Sequence, residues 1–260
     1  MNKIAEVFAK GKKVFIPFIT AGDPSLEKTE EMIYAMEKAG AGIIEIGIPF
    51  SDPVAEGPVI QAADFRALQA GCTTDKIFAM LKRVRKNTQV PLVFLTYINP
   101  IFTYGCTKFF NNCQECQISG VIIPDVPFEE KEEVLKYCWQ YGVDLISLIA
   151  PTSEQRIKMI AKEAMGYIYV VSSLGVTGVR TTITTDIGAI VEQIRQVTKV
   201  PIAVGFGIST TEQAIKMSRL SDGVIVGSAI VKIVAENDEN CVEAVADYVK
   251  TMVTAVASCH

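Results

Sequence analysis

The sequence predicts an α/β protein, a single (β/α)8 TIM barrel that spans residues 1–260. The first observation is length, because 260 residues is close to the ~250 that this fold typically needs. The second is a series of eight short, β-branched apolar runs along the whole chain. The third is that longer amphipathic stretches separate these runs, as expected for a parallel sheet built from βα units. Eight such units favour closure of the sheet into a barrel.

The eight runs are mostly continuous apolar segments, which is typical of parallel strands buried on both faces. They predict strands at residues 14–20, 42–49, 91–97, 120–127, 144–151, 166–173, 201–209 and 222–227. Amphipathic patterns between them predict helices that include residues 26–39, 60–70, 128–141, 153–164 and 211–219. No Gly/Ser/Pro-rich linker or charge block divides the chain. One domain is therefore the simplest prediction.

Composition excludes several classes of function. The formal net charge is −4 and no basic run exceeds two residues, so neither nucleic acid nor an anionic membrane surface is an expected partner. The first ten residues include an acid and no long apolar core, unlike a signal peptide. No stretch approaches the roughly 20 apolar residues of a membrane span. The expected compartment is the cytoplasm.

Cysteine and histidine usage predicts no metal site. The seven cysteines are irregularly spaced, and reduced thiols are the expected state. Cys113 and Cys116 form a C-x-x-C with no second pair, and the sole histidine is the terminal His260. Cys106, Phe110 and Cys113 recur at i, i+4 and i+7, which favours one packed helix face. Acid–base chemistry must then come from carboxylates, tyrosines, lysines or cysteines.

Glu45 is the most informative acid, because it lies inside the second predicted strand between Ile44 and Ile46. An unpaired carboxylate is costly to bury charged. Burial therefore favours a raised pKa and a role as general acid or base. A buried ion pair with a basic residue is the alternative.

Two further acids lie at predicted strand ends, where the active sites of TIM barrels are built. Glu56 belongs to the loop of residues 51–58, from which it can reach back over Glu45; a solvated loop carboxylate is the alternative. Asp125 ends the fourth predicted strand between Pro124 and Val126 and is a candidate site residue. A helix N-cap is the alternative for Asp125.

Glycines at the carboxyl ends of the last three predicted strands predict a phosphate site. They are Gly175 and Gly178, then Gly205 and Gly207, then Gly227, which Ser228 follows. Glycine lets backbone N–H groups approach an anion closely, and a helix that opens at Ser228 would favour phosphate at its N-terminus. Apolar side chains near strand ends predict a pocket beside this site, although core packing is the alternative for each of them: Phe18, Leu95, Tyr97, Ile149, Tyr167, Tyr169 and Phe206.

These residues lie within segments that match one family over essentially the whole chain. The segments are PFITAGDP (17–24), EIGIPFSDPVAEGP (45–58) with Ile60 and Gln61, YINP (97–100), PDVP (124–127), GVTG (175–178), GFGIS (205–209) and VGSAIV (226–231). With them the chain resembles the tryptophan synthase alpha subunit family. The second segment is close to a signature of that family.

The resemblance implies retro-aldol cleavage of indole-3-glycerol phosphate to indole and glyceraldehyde 3-phosphate, without a metal or organic cofactor in this chain. It implies that Glu45 is the catalytic acid/base and that a second carboxylate, at the position of Glu56, holds the indole N–H. Phosphate would then rest on Gly178, Gly207, Gly227 and Ser228. The remaining substrate-binding residues would be Phe18, Leu95, Tyr97, Ile122, Asp125, Ile149, Tyr169, Thr177 and Phe206, with Thr177 on a loop that covers the substrate.

The resemblance also implies a partner, a tryptophan synthase beta subunit that carries pyridoxal phosphate. In the α2β2 assembly that the resemblance implies, indole passes to the beta subunit through a tunnel. The loop of residues 51–58 and the loop after Gly175 are expected to carry allosteric signals between the subunits.

The chain departs from the family pattern at one catalytic position, since Ala55-Glu56-Gly57 replaces Ala-Asp-Gly. Glutamate adds a methylene, and a misplacement of ~1 Å in an active site can cost ~100-fold in rate. Two hypotheses therefore stand: an active lyase, or a catalytically impaired alpha subunit that acts mainly as an allosteric activator of the beta subunit. The signature around Glu45 disfavours an indole-glycerol-phosphate synthase, and the glycine pattern disfavours a Rossmann oxidoreductase.

Overall fold

The computed structural model describes residues 3–171, 186–205 and 207–259. Eight parallel strands close into a barrel in which each strand pairs with its sequence neighbours and the first pairs with the last. The strands are β1 (Val14–Thr20), β2 (Ile44–Gly47), β3 (Leu92–Leu95), β4 (Ile118–Ile122), β5 (Asp144–Ile149), β6 (Met165–Val171), β7 (Ile202–Gly205) and β8 (Gly223–Val226). This topology confirms the predicted TIM barrel.

Most strands are shorter than their apolar runs predict. The predicted second and fourth strands extend to residues 49 and 127, whereas β2 ends at Gly47 and β4 ends at Ile122. Proline has no N–H to donate to a ladder, and both excluded tails contain proline. The apolar residues beyond the strand ends form the first part of the loops at the carboxyl side of the barrel. The catalytic candidates lie on or beside these loops.

Helices fill the outer layer around the barrel. Those in the described ranges are α1 (Lys3–Phe8), α2 (Leu26–Lys38), α3 (Pro58–Gln69), α4 (Thr74–Val84), α5 (Ile98–Tyr104), α6 (Cys106–Glu115), α7 (Glu132–Tyr141), α8 (Glu154–Lys162), α9 (Ile187–Arg195), α10 (Thr211–Leu220), α11 (Ser228–Asn237) and α12 (Cys241–Ala257). The prediction of one helix over residues 128–141 is wrong. A 3-10 turn, Phe128–Glu130, comes first and α7 begins only after Lys131.

Side chains alternate along each strand between the barrel interior and the layer under the helices, as the period of two requires. The interior cluster contains Val14, Ile16, Ile43, Val93, Ile122, Ile146, Tyr167, Tyr169, Ala203 and Ile225. Ile44 and Ile46 instead pack in the outer cluster with the helices. Glu45, between them, therefore points into the barrel.

Helix α1 closes the amino-terminal mouth of the barrel. Ile4 is fully buried in the interior cluster, and Val7 and Phe8 pack against that cluster. The Phe8 ring centroid lies 6.2 Å from that of Tyr167. Access to the interior is thus left to the carboxyl ends of the strands.

The cysteines behave as packing residues. All seven are free, and Cys113 and Cys116 are fully buried. Burial raises the pKa of both thiols, Cys116 to about 11. Within the described ranges, no cluster of three or more His, Cys, Asp or Glu side chains could hold a metal ion. Those ranges also contain no helix long and apolar enough to cross a membrane.

Candidate active site

Glu45 lies in the middle of the barrel with 1% of its surface exposed. The Tyr167 hydroxyl, on the opposite strand β6, donates a hydrogen bond of 2.5 Å to Glu45 Oε1. Among the described residues, Oε2 has no hydrogen-bond partner. Burial raises the pKa of Glu45 to about 8, and the hydrogen bond from Tyr167 opposes that rise.

The electrostatics of Glu45 confirm the predicted buried acid with a raised pKa. The alternative, an ion pair with a basic residue, is not found in the described part of the chain, where a tyrosine is the hydrogen-bond partner instead. A pKa near the working pH is what proton transfer in both directions requires. Burial of Tyr167 and the adjacent Glu45 charge keep the pKa of the phenol well above its usual value, so that it remains a donor.

Phe18 forms one wall of the space above Glu45. It is the register partner of Glu45 on the neighbouring strand β1. A Cβ atom built on Gly47 would lie 2.7 Å from Phe18 Cζ, and one on Gly227 would lie 3.2 Å from Phe18 Cδ1. The Phe18 ring therefore fits between Gly47, at the end of the strand that carries Glu45, and Gly227, at the predicted phosphate site. Any side chain at Gly47 would displace it.

Tyr169 forms a second wall. A Cβ atom on Gly205 would lie 2.4 Å from Tyr169 Cε2 and 2.4 Å from its hydroxyl oxygen. Glycine at 205 is thus required by the close approach of this ring. Burial and the nearby Glu45 raise the pKa of the Tyr169 phenol.

The structure brings four of the predicted substrate-binding side chains to the interior of the barrel. Ile122 and Tyr169 belong to the interior cluster, and Leu95 packs against it. Phe18, on the same face of β1 as Val14 and Ile16, packs with Ile60 and Ala63 of α3 and Val231 of α11 above that cluster. Ile149 does not join them, because it packs in the outer cluster beneath the helices and leaves Leu148 on the inner side. Because side chains alternate along β5, Leu148 faces the barrel interior and Ile149 faces the helices. The prediction that Ile149 lines the pocket is therefore wrong by one residue.

Glu56 is buried, so the alternative of a solvated loop carboxylate is wrong. Its side chain is 5% exposed. It contacts the carboxyl of Asp64 on α3 and lies beside the Tyr97 hydroxyl, and both contacts lower its pKa. Burial has the larger effect and raises the pKa of Glu56. The Gln61 amide donates to the Glu56 carbonyl at 2.7 Å, which ties the backbone of the loop to the same helix.

Tyr97 and Asp125 organise neighbouring loops. The Tyr97 hydroxyl accepts the N–H of Ala55 at 3.1 Å, and its ring centroid lies 5.4 Å from that of Phe50. Asp125 accepts the N–H of Ile98 on both carboxylate oxygens, at 3.1 and 3.2 Å. Asp125 therefore caps α5 from the loop after β4. The alternative role as a helix N-cap is therefore confirmed, although the capped helix is α5, which precedes Asp125 in the chain.

Helix α11 begins at Ser228, as the glycine pattern predicts. Gly227 accepts the N–H groups of Ile230 and Val231, at 2.8 and 3.0 Å, so the first-turn amides lie just above it. The N–H groups of Ser228 and Ala229 precede this first bond of the helix, and amides in that position attract anions. Gly207 has a φ of 79°, a conformation that glycine adopts freely. The other predicted residues here, Gly175, Thr177, Gly178 and Phe206, lie outside the described residues.

Two residues of this site, Tyr167 and Asp64, are not predicted by the sequence patterns. Tyr167 was assigned only to the apolar pocket, and its link to Glu45 depends on strands β2 and β6 being opposite each other in a closed barrel. Asp64 was not considered, although a signal was present. It falls on the apolar stripe of α3, with Ile60, Ala63 and Ala67 at the helical spacing.

The chain is similar in sequence and in structure to known proteins of one family. The family model described as tryptophan synthase alpha chain matches residues 4–257. The tryptophan synthase alpha chain of Lacticaseibacillus casei is 50% identical over 256 residues, which cover 98% of this chain and 96% of that one. The crystal structure of the alpha chain from Legionella pneumophila subsp. pneumophila is 35% identical, with a TM-score of 0.88 over 98% of this chain and 97% of that one. A structure of Mycobacterium tuberculosis tryptophan synthase is 27% identical, with a TM-score of 0.88 over 98% of each chain.

Proposed function

The chain belongs to the tryptophan synthase alpha chain family, and from this premise we propose that it cleaves indole-3-glycerol phosphate to indole and glyceraldehyde 3-phosphate. The observation that carries the proposal is the buried Glu45 carboxyl, bonded to Tyr167 and walled by aromatic rings. A carboxyl with a pKa of about 8 is largely protonated at neutral pH. It is therefore prepared to donate a proton first and to accept one later.

The cleavage needs one proton to leave the substrate and one to enter it. Glu45 donates its proton to C3 of the indole ring, which makes that carbon a better leaving group. The resulting carboxylate accepts the proton of the adjacent glycerol hydroxyl as the C–C bond breaks and the aldehyde forms. The proton balance of the enzyme is thereby restored. The hydrogen bond from Tyr167 stabilises the carboxylate stage between the two transfers.

Glu56 is proposed as the second carboxylate of the reaction. Protonation at C3 places positive charge on the indole ring, and an anion that accepts the ring N–H stabilises that charge. Glu56 is buried at the mouth of the barrel, on the loop that directly follows the strand of Glu45. Its position on the loop between β2 and α3 supports this role.

The phosphate of the substrate is proposed to bind at the start of α11. Gly207, Gly227 and Ser228 supply backbone N–H groups and one hydroxyl there, together with the proposed ligand Gly178. The contact between the Phe18 ring and Gly227 supports this proposal, because the ring would then adjoin both the phosphate and the indole of the substrate. We propose that the chain works without a metal or cofactor of its own.

A tryptophan synthase beta subunit is the proposed partner, in an α2β2 assembly that carries pyridoxal phosphate and receives indole. Two exposed apolar side chains support a contact above β2 and β3, since Val54, on the loop after β2, is 74% exposed and Phe102, on α5, is 48% exposed. Ala55, next to Val54, is hydrogen-bonded to Tyr97 beside Glu56. A partner seated on Val54 would thus act on the catalytic loop. The proposed compartment of this biosynthetic complex is the cytoplasm.

The test is steady-state cleavage of indole-3-glycerol phosphate, with and without the beta subunit. Wild type is expected to release indole and to be faster in the complex, while Glu45→Gln is expected to lose about 100-fold or more in kcat. Glu56→Asp, measured in parallel, compares this chain with the family carboxylate. If the wild type releases no indole either alone or in the complex, yet accelerates the reaction of the beta subunit, the lyase proposal is wrong. The chain would then be an allosteric activator of the beta subunit.

A further inference from the structure

Asp64 is a buried acid for which the proposed cleavage has no use. It lies in the second turn of α3 with 3% of its surface exposed. Its neighbours on the same stripe, Ile60, Ala63 and Ala67, are buried apolar side chains. An acid in such a position is stable only if its polar atoms are paired.

The partners of Asp64 lie at the two ends of one loop. The backbone N–H of Phe50, just after β2, donates to the Asp64 carboxyl, and the Glu56 carboxyl contacts it from the other end. Gln61, on the same helix, holds the Glu56 carbonyl at 2.7 Å. Helix α3 thus fixes both ends of the catalytic loop through side chains, with Asp64 between them.

Among the residues that the structure describes, no cation is left beside the pair to balance two carboxylates. Arg66 is committed to Asp23, to which its Nε and Nη2 donate at 2.8 and 2.7 Å. The other titratable groups that influence the pair are Tyr97, beside Glu56, and Asp23, whose charge raises the pKa of Asp64. Both are neutral or acidic. Two carboxyls in contact under these conditions share one proton.

The proton is assigned to Asp64. Burial and the charge of Glu56 raise the pKa of Asp64, and the contact between the two carboxyls raises it further. The same contact lowers the pKa of Glu56. Burial raises the pKa of Glu56 as well, but the Tyr97 hydroxyl gives Glu56 a second hydrogen bond that favours its anion. This arrangement favours a protonated donor on α3 and an ionised acceptor on the loop.

We propose that Asp64 is a positioning residue for Glu56: its protonated carboxyl donates a hydrogen bond that keeps Glu56 ionised and fixes its longer side chain at the mouth of the barrel. The proposal rests on the proposed function, because Glu56 must be an anion to hold the indole N–H. Glutamate has one more rotatable bond than the aspartate of the family pattern. A fixed donor behind the carboxyl offsets that freedom.

The kinetic test uses Asp64→Asn, which keeps a donor without a titrating proton, and Asp64→Ala, which removes the donor. Asp247→Asn is the matched control, on an exposed face of α12. At pH 7 Asp64→Ala is expected to lower kcat by about 10- to 100-fold with little change in the inhibition constant of inorganic phosphate. Asp64→Asn is expected to recover most of kcat and to lose the limb of the pH–kcat profile that belongs to the carboxyl pair. Equal kcat and equal pH profiles in the three variants and wild type would overturn the proposal.

A second measurement is independent of activity. The infrared difference between wild type and Asp64→Asn at pH 7 is expected to show a protonated carboxyl band that disappears at high pH. In Glu56→Gln the band should titrate at lower pH, because the neighbouring charge is gone. Absence of the band at pH 7 overturns the assignment of the proton even if the enzyme is a fast lyase. Presence of the band in an enzyme that releases no indole retains the carboxyl pair and overturns the lyase alone.

Discussion

Replacing Glu45 by glutamine should change how the stability of the chain depends on pH. The folded chain binds the Glu45 proton more tightly than the unfolded chain, because burial raises the pKa from 4.5 to about 8. The contribution of this group to stability is therefore complete below pH ~4.5 and is lost as the pH rises through about 8. Glutamine keeps the size and the acceptor for Tyr167 but does not titrate.

The magnitude follows from the difference between the two pKa values. Each pH unit between them changes the free energy of unfolding by about 1.4 kcal/mol. Between pH 5 and pH 8 the wild type should therefore lose about 3.5 kcal/mol more than Glu45→Gln, after other titrating groups cancel in the comparison. This is less than three full units of slope because the slope falls off near each pKa. The loss is a large share of the ~5–15 kcal/mol that stabilises a typical domain.

The assay is urea unfolding of both proteins at pH 5, 6, 7 and 8 and constant ionic strength, with midpoints and slopes compared. The two free energies are expected to be closest at pH 5 and to diverge steadily towards pH 8, with the variant the more stable at high pH. Parallel pH profiles would refute the reasoning, because they would mean that Glu45 has the same pKa in the folded and unfolded chain.

Two further predictions concern neighbours of the acid. Tyr167→Phe removes the hydrogen bond that lowers the pKa of Glu45, so the basic limb of the pH–kcat/KM profile should move to higher pH; an unmoved limb would contradict this. Gly205→Ala places a Cβ atom 2.4 Å from the Tyr169 ring and should destabilise the chain by about 1–3 kcal/mol in thermal unfolding. Gly188→Ala, in the first turn of α9, is the control and should be neutral or stabilising, since alanine favours a helix. Equal losses in the two glycine variants would argue against the tyrosine contact.

The fold was largely predictable, because its determinants are local and periodic. Eight apolar runs alternating with amphipathic ones predict a parallel barrel, and the position of Glu45 between Ile44 and Ile46 predicts its burial. Strand ends were less predictable. The apolar character continues past Gly47 and Ile122 into loops where proline removes the ladder hydrogen bonds.

The functional residues were predictable only where the local sequence around a single residue indicates its role. The helix that opens at Ser228 follows from local sequence, and so does a buried acid at Glu45. The partnership of Glu45 with Tyr167 requires the closed geometry of the whole barrel, which no local pattern contains. The outward direction of Ile149 depends on strand register, and a register error of one residue reverses a side chain. Asp64 could have been found, since an acid on an apolar helical stripe indicates a paired buried group.

Helix α1 has a consequence for the acid–base chemistry although none of its six residues is a catalytic candidate. By packing Phe8 towards Tyr167 and burying Ile4, it keeps bulk solvent from the floor beneath Glu45. The high proton affinity of that carboxyl depends on a low local permittivity. Substitutions that reduce the apolar side chains of α1 would therefore admit water beneath Glu45. The pKa of Glu45 would fall, and the pH range over which it can donate a proton would shift to lower pH.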